Sequence, residues 1–183
     1  MQNDFTYCPR CGGKNIHYLD GRKWGCDDCG FKLYNNVAAA VGLVITDENG
    51  DVLFEVRAKD PQKGYIAIPG GFCNPDESAE QSAVRECMEE TGLAPEKLTY
   101  LCSFPNTYDY KTFRYKTCDL FFEAQMPAGT GPLISRLKPQ ETEVSSFVVK
   151  TVHTEKDIHD LPIAFESTRQ TLTLWLKQRH QHA

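Results

Sequence analysis

The chain has no apolar run approaching eighteen residues, so it offers no candidate for a membrane-spanning helix. It opens on no basic–apolar export signal, and it contains no internal repeat or low-complexity tract. It also lacks an excess of positive charge, since 20 Lys and Arg stand against 25 Asp and Glu for a net charge of −5. That balance disfavours nucleic acid as a general partner. An enzyme with this charge that acts on phosphates must rely on local metal and a few basic side chains, not on a global field. What is present suits one ordinary domain plus a small appendage: 183 residues, 40% hydrophobic and 11% aromatic, enough for a packed core. Eight cysteines without an export signal point to a cytoplasmic protein with free thiols.

The most specific stretch is GFCNPDESAEQSAVRECMEETGL, residues 71–93. Asp76–Thr91 is expected to be helical, with Asp76 as N-cap and Gly92 as C-terminal stop. Ala79, Ala83 and Cys87 recur every four residues as a narrow apolar stripe that can pack on a sheet. Glu86 and Glu90 are also four apart and share a face, with Glu89 beside them. Carboxylates crowded on one turn repel each other unless a cation neutralises them, and hard oxygen ligands of this kind suit Mg2+ or Mn2+. Arg85 can pair with Glu89 or hold a carboxylate in place. Gly70-Gly71 lets the backbone approach metal or phosphate without an intervening side chain.

These offsets resemble the signature box of the Nudix hydrolases: Gly71, five residues, Glu77, seven residues, then Arg85-Glu86, Glu89-Glu90 and Gly92, with Cys87 and Leu93 in its apolar slots. Seven fixed matches arise by chance at roughly one in 10^8 per starting point, so composition alone does not explain them. The resemblance implies that Glu86 and Glu90 bind metal, commonly joined by Glu89. It also implies that Gly71 offers its carbonyl to metal, that Arg85 orients a catalytic glutamate, and that Glu77 stabilises the loop–helix unit. A general base is expected from a later loop, where Glu141 and Glu143 are the candidates by position. The reaction implied is attack of water on a diphosphate attached to another moiety.

Ahead of the box lie two Cys-x-x-Cys knuckles, Cys8/Cys11 and Cys26/Cys29, each followed by glycine. Four thiolates at this spacing match a closed tetrahedral zinc site, and iron fits the same four sulfurs. With a short hairpin turning at Asp20-Gly21, residues 1–34 resemble a zinc ribbon. A unit this small depends on its metal for stability, which gives the zinc a structural role. His17 is expected at the surface.

Beyond the ribbon, strands are expected at 37–46, 52–57, 65–68, 98–103, 113–125 and 144–149, with a closing helix at 163–178. The pattern is α/β with a mixed sheet. The resemblance sharpens it to a Nudix α/β/α sandwich over residues 35–183. Ribbon plus box is similar to the NADH pyrophosphatase group, whose Gln-Pro-Trp substrate motif is absent here; Ser103 and Pro105 are its only echoes. Phe104, Tyr108 and Arg114 are the candidate substrate-binding residues, since aromatics beside cations can stack a base and hold phosphates. Alternate aromatics of a strand also simply fill a core. The expected partner is a small nucleotide diphosphate such as ADP-ribose or NAD(H), with a homodimer as the expected assembly. Two other classes compete: a Nudix-fold isoprenoid diphosphate isomerase, and a non-catalytic nucleotide-sensing or nucleic-acid-binding adaptor. The complete box argues against both.

Overall fold

A computed structural model of the chain describes residues 5–111 and 113–182. By its internal contacts the chain divides into two units. One comprises Met1–Val37 with Thr107–Lys116, and the other Ala38–Asn106 with Thr117–Ala183.

The first unit carries an antiparallel sheet of β1 (Ile16–Leu19), β2 (Lys23–Cys26) and β3 (Lys32–Tyr34). Asp20 (φ 54°) and Gly21 (φ 71°) make the turn between β1 and β2, both in the left-handed region that a tight hairpin requires. The third strand was not expected. It is three residues long and exposed throughout, so it shows no alternation to read. Cys8, Ile16, Trp24 and Cys26 form a small buried core, with Phe5 edge-on to Trp24 at 5.1 Å.

The second unit adds β4 (Ala38–Ile45), β5 (Val52–Arg57), β6 (Ile66–Ala67), α1 (Ala79–Thr91), β7 (Lys97–Tyr110), β8 (Phe113–Gln125), α2 (Leu133–Arg136), β9 (Val144–Lys150), α3 (Glu155–Asp160) and α4 (Glu166–His182). The tip of β7 and the start of β8 belong to the first unit. One sheet runs β4-β8-β7 with β4 and β8 parallel, and the other runs β6-β5-β9 with antiparallel pairing. The layers follow from strand alternation. Val44 of β4, Val52 and Phe54 of β5 and Phe121 of β8 join the core that Leu172 and Trp175 of α4 and Ile158 of α3 cover. Leu43 and Ile45, Leu53 and Phe122 point the other way, to the core that Ala83 and Cys87 of α1 cover. The result is the expected α/β/α sandwich, and the apolar stripe of α1 does the packing assigned to it.

Three expected boundaries need correction. The box helix begins at Ala79, and its N-cap is Ser78, not Asp76. Asp76 lies in a turn after Pro75, while Ser78 and Gln81 form a reciprocal capping box. Strand β7 runs on to Tyr110 through Pro105; β7 is an edge strand, the place in a sheet where proline is tolerated. The last helix starts at Glu166: Ile163 instead bridges Ile66 in parallel, and Ala164 N–H donates to Ile66 O at 2.9 Å.

Candidate active site and metal centre

The box folds as a strand, a glycine loop and a helix, all in the second unit. Gly70 has φ 148°, and a Cβ there would lie 2.1 Å from the Val41 carbonyl oxygen, so no other residue fits. Gly71 accepts from Val41 N–H at 2.8 Å, which ties the loop to β4. A Cβ on Gly71 would lie 2.7 Å from the Glu86 carboxylate. The absent side chain is thus the space in which that carboxylate sits.

The carboxylates of α1 occupy distinct environments. Glu90 is 3% exposed, and its Oε2 accepts from Gly70 N–H at 2.7 Å. Burial, followed by the charge of Glu86, pushes its pKa up to about 8. Glu86 is mostly buried and also raised by burial, although Arg85 Nη1 donates to it at 2.6 Å. Glu89 is half exposed and receives Arg85 Nη1 at 3.2 Å. Arg85 engages Glu77 most fully, with Nε and Nη2 both on that carboxylate, and Nη2 also donates to the Phe72 carbonyl at 3.1 Å. Arg85 therefore clamps the loop to the helix and touches both Glu86 and Glu89.

Of the two loop candidates, only Glu143 is among the charges that act on this group. After burial, its negative charge is among the influences that raise Glu55, Glu86 and Glu90. Glu143 is half-buried, is ion-paired with Lys59, and accepts through its backbone carbonyl from Ala58 N–H at 2.8 Å. Glu141 is exposed two residues earlier. Glu55 of β5 was missed by sequence reasoning. It is 3% exposed, its carboxyl meets that of Glu90, and burial raises it well above the usual carboxylate range. One acid inside the strand VLFEVR, on the Leu53 face, was the available signal.

The expected substrate residues fall in two units. Phe104 is partly buried against the α3/α4-side core of the second unit. Tyr108 and Arg114 belong to the first unit, where Arg114 Nε pairs with Asp109 Oδ1 at 2.7 Å. A cavity of about 700 Å³ lined by Thr46, Lys97, Glu123 and Arg136 includes no box residue.

Among the described residues, the four knuckle cysteines place all their sulfurs within 4.8 Å of one another. Cys8–Cys29 and Cys11–Cys26 are 3.7 and 3.8 Å apart. A tetrahedron of metal–sulfur bonds of about 2.3 Å requires sulfur separations of about 3.8 Å. Gly12 (φ 72°) and Gly30 (φ 70°) close the knuckles by donating to the Cys8 and Cys26 carbonyls, both at 2.9 Å. The cluster therefore fits a four-thiolate metal site. His17 is exposed beside Asp27.

Residues 37–176 match the NUDIX domain family model. The chain belongs to the NUDIX family. It is 33% identical over 115 residues to an NAD-capped RNA hydrolase of Schizosaccharomyces pombe, covering 55% of this chain and 31% of that protein. It is 43% identical over 65 residues to an ADP-ribose pyrophosphatase of Methanocaldococcus jannaschii, covering 36% and 38%. It is 25% identical over 180 residues to the NAD-capped RNA hydrolase NudC of Pseudomonas fluorescens, covering 98% and 59%. The match thus spans less than two thirds of each of these relatives. Among solved structures, a NUDIX hydrolase from Nitrosomonas europaea superposes with a TM-score of 0.66 at 23% identity, covering 96% of this chain and 92% of that one. No helix among the described residues is long and apolar enough to cross a membrane.

Proposed function

We propose that this NUDIX chain is a divalent-metal-dependent hydrolase that cleaves the diphosphate of a nucleoside diphosphate linked to another moiety, of the ADP-ribose or NAD(H) kind. The observation that carries the proposal is the placement of Glu86 and Glu90, both largely buried, against the Gly70-Gly71 loop, where each also feels the negative charge of neighbouring glutamates. Such a group suits a hard divalent cation. Two relatives are named for hydrolysis of NAD-capped RNA and of ADP-ribose, and a similar NUDIX domain from Shewanella oneidensis was solved with ADP ribose.

In this reading Glu86 and Glu90 would hold Mg2+ or Mn2+, joined by the more exposed Glu89. The ion supplies Lewis-acid polarisation of a phosphoryl oxygen and lowers the pKa of water. Arg85 keeps Glu86 and Glu89 in register while remaining fixed to Glu77. Glu143 takes the proton of the attacking water on its carboxylate, with Lys59 steadying it. Gly70 and Gly71 leave the approach clear of side chains. The four-cysteine cluster holds zinc in a structural role, and eight unpaired thiols suit a cytoplasmic setting.

The test is a substrate panel of ADP-ribose, NADH, NAD+ and nucleoside triphosphates with Mg2+ or Mn2+, read by chromatography. Release of a mononucleotide from ADP-ribose or NADH is expected. No turnover of any compound with either ion overturns the hydrolase reading.

A further inference from the structure

Glu55 sits where a glutamate is costly. Strand β5 is central in its sheet, with Ala67 opposite Glu55 on one side and Phe147 on the other. Its neighbours Val52, Leu53 and Phe54 are fully buried. A carboxylate taken out of water there costs several kcal/mol unless it is paired or binds metal. One of its oxygens is left over: among the described residues Glu55 Oε2 is buried without a hydrogen-bond partner. Its side chain lies on the Leu53 face, the face that α1 covers, and meets the carboxyl of Glu90.

Two carboxyl groups that meet in a buried place have two routes to stability. A proton can bridge them, or a cation can lie against both. The surroundings favour the cation. Glu86 and Glu143 add negative charge to the same spot, Glu90 already spends one oxygen on Gly70 N–H, and the orphaned oxygen of Glu55 still has no partner. A hard divalent ion takes six or more oxygens, and the box helix supplies only some of them. We propose that Glu55 is a ligand of the divalent ion held by Glu86 and Glu90, contributed by the sheet and lying outside the box. This rests on the metal-centre reading above.

The substitution that separates the two routes is Glu55→Gln. It keeps shape and offers an amide N–H to Glu90, but it removes the charge. Mn2+ alone is the probe, titrated into the full chain with the free-ion electron paramagnetic resonance signal as readout, so that turnover plays no part. Thermal melts establish that the variant folds. Glu55→Gln is expected to weaken Mn2+ binding at least about tenfold, and Glu90→Gln to do likewise. A Glu55→Gln affinity within twofold of wild type, with Glu90→Gln weakened, overturns the role of Glu55 and leaves the metal centre standing. Wild-type protein that binds no Mn2+ overturns both. Should Glu55→Gln fail to fold, Glu55→Asp carries the test, because it keeps the charge but withdraws the oxygens by one methylene; unchanged Mn2+ affinity there overturns the proposal.

Discussion

Arg85 reaches Glu77 across eight positions of sequence with two separate nitrogens: Nε lies 2.8 Å from Oε1 and Nη2 lies 2.9 Å from Oε2. The pair fastens the loop before α1 to its second turn. Ser82 adds a hydroxyl donor to Glu77 at 2.9 Å. A fixed fork on a carboxylate is the geometry in which arginine outperforms lysine, so Arg85→Lys is not a conservative change here.

The pairing makes stability depend on acid. Arg85, first among the causes, holds the Glu77 pKa down at about 2, against an ordinary value of 4.5. Because the folded value lies below the unfolded one, the contribution is complete above pH 4.5 and is lost as pH falls toward 2. Melts from pH 6 to pH 2 should show the wild-type Tm falling through that window. The Tm gap between wild type and Glu77→Gln should close over the same range. A gap that stays constant with pH would show that the ion pair contributes nothing through ionisation.

Glu90 presents the opposite balance. It is buried among like charges, and burial raises its pKa to about 8. Glu90→Gln removes that electrostatic burden and retains a group that can accept from Gly70 N–H. We predict a Tm equal to or above wild type in metal-free buffer, together with a fall in kcat of about 100-fold, or roughly 3 kcal/mol of transition-state stabilisation. Near-normal kcat in this variant would remove Glu90 from the metal assignment.

The two loop glutamates are predicted to part company. Glu143 is the one whose charge reaches Glu55, Glu86 and Glu90, whereas Glu141 is exposed. Glu143→Gln should lower kcat by about 100-fold with KM little changed. Glu141→Gln should stay within about twofold. Equal effects of the two would return the general base to the open set.

How far the sequence carried the site depends on where each residue lies. The box was legible because its parts are local: four-residue spacing puts Glu86 and Glu90 on one face, and glycines mark its ends. Ser78 displaced Asp76 as cap because Pro75-Asp76 form a turn that helical periodicity does not see. Glu55 was missed because its partner is thirty-five positions away and only the packing of α1 on the sheet brings them together. The choice of Glu143 over Glu141 also needed tertiary structure, since alternate loop positions read alike in sequence. Phe104 shows the converse. An aromatic amid cations read equally as stacking platform or core, and the fold packs it against the core.

The four-cysteine cluster gives the last prediction. Sulfur separations of 3.7 and 3.8 Å suit one tetrahedral ion, so elemental analysis should find about one zinc per chain. Among the described residues, the buried core of the unit around it is Cys8, Ile16, Trp24 and Cys26, two of which are the proposed ligands. Metal binding and folding are therefore predicted to be the same event for this unit. Cys26→Ser should abolish zinc retention and shift Trp24 fluorescence toward that of a solvent-exposed indole, because Trp24 is 6% exposed when the unit is folded. Trp175, 2% exposed in the α3/α4-side core of the second unit, should be unaffected and serves as the internal control. A Trp24→Phe background isolates the Trp175 signal, and a Trp175→Phe background isolates that of Trp24. Unchanged Trp24 emission in a metal-free Cys26→Ser protein would show that the ribbon folds without its ion.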